Sequence, residues 1–266
     1  MAAMMLFHLL VSFALAHSPL SAVRDPQKDY RTYLRHTISR GASTGETVLD
    51  RAEDLNTNPW LKLRPTNYNQ NKLQLLFNHL RDHRPTTDKE NRSRRLPWLY
   101  PDDGCYAKSA MMQSRIKAGG QEGFHQIFLF GNLFAATPNH PAKQVSWWYH
   151  VAPIVRTTEG VFVLDPTLDP LQPLKVEHWI SRMIHFTQEA KVSLCEPASF
   201  TPESECFSKG PIDVPGATEE IREVYFDLEW ERIHHLGRNP EQELGPLRAK
   251  SHSNFFNSRT ITKESL

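Results

Sequence analysis

The sequence has no excess of either charge: 31 Lys and Arg stand against 30 Asp and Glu over 266 residues. No global field therefore draws the chain to nucleic acid or to an anionic membrane surface. It is poor in cysteine, with three, and has fewer glycines (12) than prolines (19). Three cysteines are too few for a disulfide-dense scaffold, and the proline surplus argues for a loop-rich protein and against a helical bundle. There is no internal repeat and no low-complexity tract. The one long apolar stretch, residues 1–16, is too short to span a bilayer comfortably. With 39% hydrophobic residues the chain still has enough apolar side chains for one sizeable core.

That opening stretch ends Ala14-Leu15-Ala16, small residues of the kind signal peptidase accepts. Residues 1–16 therefore read as a cleaved signal peptide, although no Lys or Arg precedes the apolar run. A buried N-terminal helix is the alternative. Export implies a secreted or periplasmic protein with no membrane attachment after cleavage. In an oxidising compartment an odd cysteine is left over. Cys195 and Cys206, close in sequence, form the natural pair, and Cys105 is then the free thiol. Spacing alone does not fix that connectivity.

Residues 17–68 are polar and mixed in charge, fitting a pro-region or an accessory segment, with a short helix feasible over 47–55. Leu73, Leu75, Leu76, Phe77 and Leu80 recur at helical spacing and predict a helix over 71–81. Residues 82–95 read as a charged, solvated loop. Residues 69–236 make the dense domain, and 237–266 read as a polar, mobile tail. Within the domain a helix is expected over 104–118, with Cys105, Ser109, Met112 and Ile116 on one face. Strands are expected over 126–135, 145–156 and 161–165, and a further helix over 175–186. A helix followed by an antiparallel meander gives an α+β fold.

Cys105 opens its helix, where free N–H groups and the dipole favour a thiolate and offer oxyanion donors. Asp103 is the expected N-cap, and Gly104 leaves room for a substrate carbonyl. Asp102 and Asp103 oppose a thiolate, so a cationic partner is needed, and His150 is the best one. A hairpin placing Val155 opposite Gly160 puts His150 directly across from Asp165, close enough for the carboxylate to fix the imidazole tautomer. A slip of one residue would send them to opposite faces. Each residue also has a plain structural role: a small buried cysteine, a core histidine, a turn-starting aspartate before Pro166. His178, His185, His234 and His235 show no metal-ligand spacing, so neither metal nor cofactor is expected.

Four segments together resemble the bacterial secreted protein glutaminases: Asp103-Gly104-Cys105-Tyr106-Ala107, Phe130-Gly131-Asn132-Leu133, Trp148-Tyr149-His150-Val151-Ala152 and Leu164-Asp165-Pro166-Thr167-Leu168. Order and spacing agree across all four. The similarity covers roughly residues 73–236 and thins after Trp179. The resemblance implies a papain/transglutaminase-like core without a metal. It implies Cys105 as nucleophile, His150 as general base and acid, and Asp165 as its orienter. The implied reaction is hydrolysis of glutamine side-chain amides in proteins to glutamate and ammonia, through a thioester. A transglutaminase, a cysteine peptidase or an effector acting on one target protein would use the same three groups. The implied partners are a protein with accessible glutamine and an intramolecular pro-segment. Of Tyr106, Trp147, Trp148 and Tyr149, which could line a cleft, Trp148 shares the expected face of His150, so Tyr106 and Trp148 are the substrate-binding candidates. The family is richer in cysteine than this chain, so its disulfide framework is not carried over.

Overall fold

The structure is a computed structural model and describes residues 46–184 and 190–244. The signal segment 1–16, most of the region 17–68 and most of the tail 237–266 lie outside the described residues. Among the described residues there are eight strands: β1 Glu53–Asp54, β2 Thr86–Thr87, β3 Ser93–Arg94, β4 Phe124–Ala136, β5 Gln144–Thr157, β6 Gly160–Val163, β7 Leu174–Lys175 and β8 Lys191–Cys195. Six of them form one sheet in the order β1-β8-β4-β5-β6-β7, and every described pairing in it is antiparallel. The helices are α1 Gln70–Asp82, α2 Cys105–Ala118, α3 Val176–Ser181, α4 Val214–Glu220, α5 Phe226–His235 and α6 Pro240–Glu243, with a π-helical turn Ile221–Tyr225 joining α4 to α5. This is the expected α+β architecture, a cysteine-bearing helix packed on an antiparallel sheet.

Helix α1 forms as its periodicity requires: Asn69 caps it by accepting from the Lys72 N–H at 2.9 Å, and Leu73, Phe77 and Leu80 are buried. Helix α2 is buried more widely than the one expected stripe. Cys105, Ser109, Met112 and Ile116 are inside, but so are Ala107, Lys108, Met111 and Gln113. The reason is two-sided packing, with Phe124, Val155 and Phe162 from the sheet and Ile221, Tyr225 and Phe226 from the C-terminal helices in the same apolar cluster.

Several segments depart from the sequence reading. Residues 47–55 form no α-helix: β1 pairs with β8, and Leu55–Thr57 is a 3-10 turn. Trp60 and Leu63 enter the apolar cluster on the sheet around Ile127 and Trp179, so residues 46–68 are packed on the sheet. Residues 82–95 are not a solvated loop. They hold the β2–β3 hairpin, and Arg94, 2% exposed, lies 3.5 Å from Asp88 and 3.3 Å from Glu229. Two carboxylates and the Phe226 ring, 4.8 Å away, compensate the desolvated guanidinium. The helix expected over 175–186 stops at Ser181. Past Gly237, Arg238 pairs with Glu243, Asn239 caps α6 and Leu244 is buried.

Candidate active site

Gly104 is the residue that turns the chain into α2, with φ +77°, so it and not Asp103 is the N-cap. The Asp103 carboxylate instead accepts the Gly104 N–H at 2.7 Å. The space beside Gly104 is not open to substrate: a Cβ there would stand 2.9 Å from the Tyr225 ring. Both the left-handed backbone and the ring demand glycine. Asp102 is paired with Arg232 and lies 3.5 Å from His140.

Cys105 is the first residue of α2 and is buried, as are His150 and Asp165. Nε2 of His150 lies 2.8 Å from Oδ2 of Asp165. Nδ1 of His150 is buried and makes no hydrogen bond among the described residues. Burial alone would lower the His150 pKa, but the Asp165 carboxylate and Cys105 outweigh it and raise it above the ordinary value. Burial likewise pushes Asp165 up, and His150, the Trp179 N–H and Lys108 together bring it below the ordinary carboxylate value.

The hairpin that joins His150 to Asp165 has a different register from the one expected. Thr157 pairs with Gly160 and Val155 with Phe162, an offset of two residues. The Thr157 hydroxyl tightens the turn, accepting the Glu159 N–H at 3.0 Å and donating to the Gly160 carbonyl at 3.1 Å. An even offset keeps the side-chain parity, so the two groups stay on one face and meet diagonally. Asp165 lies just past the end of β6, where it can turn toward the imidazole.

The aromatic neighbours also differ from expectation. Trp147, not Trp148, stacks on His150, with centroids 4.6 Å apart and planes at 12°. Trp148 sits with Phe130 and Tyr149 in the apolar cluster that also holds Cys105. The cause is a β-bulge where β4 shifts register between Phe130 and Leu133, which breaks the alternation on which the Trp148 assignment rested. The Tyr106 hydroxyl is taken up by Glu220 and lies 3.3 Å from that of Tyr225. Trp179 was not singled out by sequence, yet its Nε1 donates to Asp165 Oδ2 at 2.8 Å and its ring stacks 5.8 Å from His150. Its only sequence signal is a tryptophan in an otherwise short helix. Cys195 and Cys206 are disulfide-bonded, and Cys105 is not part of that disulfide. Among the described residues no group of His, Cys, Asp and Glu is placed to hold a metal.

Cys105, His150 and Asp165 line a cavity of about 10 Å³, beside Trp98, Lys108 and Thr167. That is room for about one water. A larger hollow of about 300 Å³ lies near the far end of α2, around Ile116, Phe124 and His125, and touches none of the three.

A thiol at a helix start with an imidazole and a carboxylate near it is an arrangement that can carry out acyl transfer through a cysteine. Residues 73–183 match the family model described as glutaminase. The match makes this segment similar to the glutaminases and leaves the rest of the chain outside the family model. Among solved structures the chain is similar to a crystal structure of protein-glutaminase, at TM-score 0.47 and 20% identity, covering 59% of this chain and 86% of that one. The NMR structure of protein-glutaminase from Chryseobacterium proteolyticum gives TM-score 0.48 and 20% identity, covering 61% and 89%. A crystal structure of pro-protein-glutaminase gives TM-score 0.46 and 20% identity, covering 63% and 66%. The sequence has no significant match among curated proteins.

Proposed function

We propose that Cys105, His150 and Asp165 are the catalytic residues of a protein-glutamine deamidase. The observation that carries this reading is the 2.8 Å contact between His150 Nε2 and Asp165 Oδ2 beside a helix that opens with Cys105. His150 takes the thiol proton, and Cys105 Sγ attacks the carboxamide carbon of a glutamine side chain. The N–H groups of the first turn of α2, that of Cys105 among them, hold the developing oxyanion. His150 returns the proton to the departing nitrogen, ammonia leaves, and a thioester remains. His150 then deprotonates a water that attacks the thioester, releasing glutamate and restoring the thiol.

The substrate in this reading is a protein with an accessible glutamine. Tyr106 and Trp148 remain proposed lining residues, Trp148 within the apolar cluster that holds Cys105 and Tyr106 packed against it. Trp147, stacked on the imidazole, is better positioned to set its orientation. A one-water cavity does not admit a carboxamide, so entry requires a wall to move. Residues 17–68 fit an inhibitory pro- or accessory region, in keeping with Val48 and Leu49 belonging to the same apolar cluster as Cys105. The Cys195–Cys206 disulfide fits an extracellular or periplasmic setting, reached through the signal segment 1–16.

The test is ammonia release from a glutamine-containing protein, with and without an added primary amine. Hydrolysis predicts ammonia and new glutamate in both arms. Cross-linking to the amine or backbone cleavage, with no new glutamate, would assign the site to a transglutaminase or a peptidase.

A further inference from the structure

Lys108 is three positions along α2 from Cys105 and is 3% exposed, a depth at which lysine is rare. Its Nζ donates to the Tyr100 carbonyl at 3.0 Å and lies 3.5 Å from that of Pro97. Those two carbonyls bracket Trp98, and both Trp98 and Lys108 line the cavity that Cys105, His150 and Asp165 share. A neutral donor could hold the same carbonyls. A buried ammonium costs several kcal/mol more in desolvation, so tethering the 97–100 segment does not account for the charge. What the charge does reach is the triad.

We propose that Lys108 is a positioning residue of the hydrolytic site: a fixed cation in the cavity wall that favours the Cys105 thiolate and the Asp165 carboxylate while its donors hold the 97–100 segment that carries Trp98. The groups facing the triad are few. His150 comes from β5, Asp165 from the end of β6 and Lys108 from α2, and the Lys108 charge contributes to holding Asp165 below the ordinary carboxylate value. Asp102, at the head of α2, is committed to Arg232, and Asp169, beyond Asp165, to Arg182 at 3.1 Å. The Asp103 carboxylate is held by the Gly104 N–H.

The inference rests on the deamidase reading, and two measurements keep their failures apart. The first is kcat/KM against pH for wild type, Lys108→Gln, Lys108→Met and Lys108→Arg. Gln keeps a donor for the carbonyls and loses the charge. Its acid limb is expected to move up by about one pH unit, with activity on that limb falling about tenfold, and KM largely unchanged. Arg should keep the wild-type limb. A role confined to packing would lower thermal stability in the Met variant and leave the Gln profile on that of wild type, which would overturn the proposal. The second measurement is the rate of Cys105 alkylation by iodoacetamide against pH, read by intact mass. It needs no glutamine substrate, so it stands even where wild type fails to deamidate. Slower alkylation of Lys108→Gln at acid pH is expected, and equal rates at every pH would overturn the role of the charge.

Discussion

Trp179 and His150 converge on one atom: Trp179 Nε1 and His150 Nε2 each lie 2.8 Å from Oδ2 of Asp165. The carboxylate oxygen that orients the imidazole is thus itself fixed by a second donor, in a site where all three side chains are buried. Replacing Trp179 by Phe keeps most of the packing and removes only that donor. Loss of a hydrogen bond to a charged group should cost about 1.5–3 kcal/mol of stability. It should also lower kcat while leaving KM near wild type. Chemical denaturation and steady-state kinetics check the two parts separately.

Asp165→Asn is expected to cut kcat by about 100-fold or more, since the imidazole loses both its orienter and its counter-charge. Asp165 raises the His150 pKa, so its removal lowers the pH at which the imidazolium is lost. The alkaline limb of kcat/KM therefore moves to lower pH, and a limb that stays in place would deny the pairing a role in the reaction.

The same pair makes stability depend on pH. The raised His150 pKa contributes stability fully below the unfolded value of 6.5 and loses it as pH rises through the higher folded value. The depressed Asp165 pKa contributes above the unfolded value of 3.8 and loses it as pH falls through the lower folded value. The stability gap between wild type and Asp165→Asn should thus be widest between pH 3.8 and 6.5 and should narrow on the alkaline side. Thermal melts across pH show whether it does.

Gly104→Ala places a Cβ 2.9 Å from the Tyr225 ring at a residue whose φ is +77°. The backbone part alone costs about 1–2 kcal/mol. Pairing it with Tyr225→Ala should relieve the contact and leave the backbone cost, so the double variant recovers only part of the loss.

Removing the Glu229 charge, as Glu229→Gln, leaves Arg94 buried against Asp88 alone and weakens acceptance of the Leu99 N–H, 2.9 Å from Oε1. A loss of about 3 kcal/mol or more is expected on breaking such a pair, with lower activity through the 94–100 segment that carries Trp98. An unchanged melting temperature would place this pair among those with little net effect.

The elements that periodicity and breakers specify were legible: α1 from its leucine spacing, α2 from its glycine borders, and the order helix, β4, β5, β6 from alternation and turn residues. The three chemical groups were legible because each sits in a short local motif. What sequence could not supply is long-range. The tight Thr157–Gly160 turn set the register two residues away from the symmetric guess, and only parity preserved the His150–Asp165 pairing. The β4 bulge exchanged the places of Trp147 and Trp148. Arg94 looked solvated because its partner Glu229 is 135 residues away. Trp179 and Lys108 belong to the site through packing alone, with no motif to mark them.

The central claim is that the Cys105 thiol converts protein glutamine to glutamate. Mass spectrometry of a test protein incubated with wild type and with Cys105→Ala measures it directly. The account predicts glutamine-to-glutamate conversion with wild type, none with the variant, and an unchanged melting profile for the variant within about 1 kcal/mol of stability. Conversion at the wild-type rate by a folded Cys105→Ala protein would contradict it.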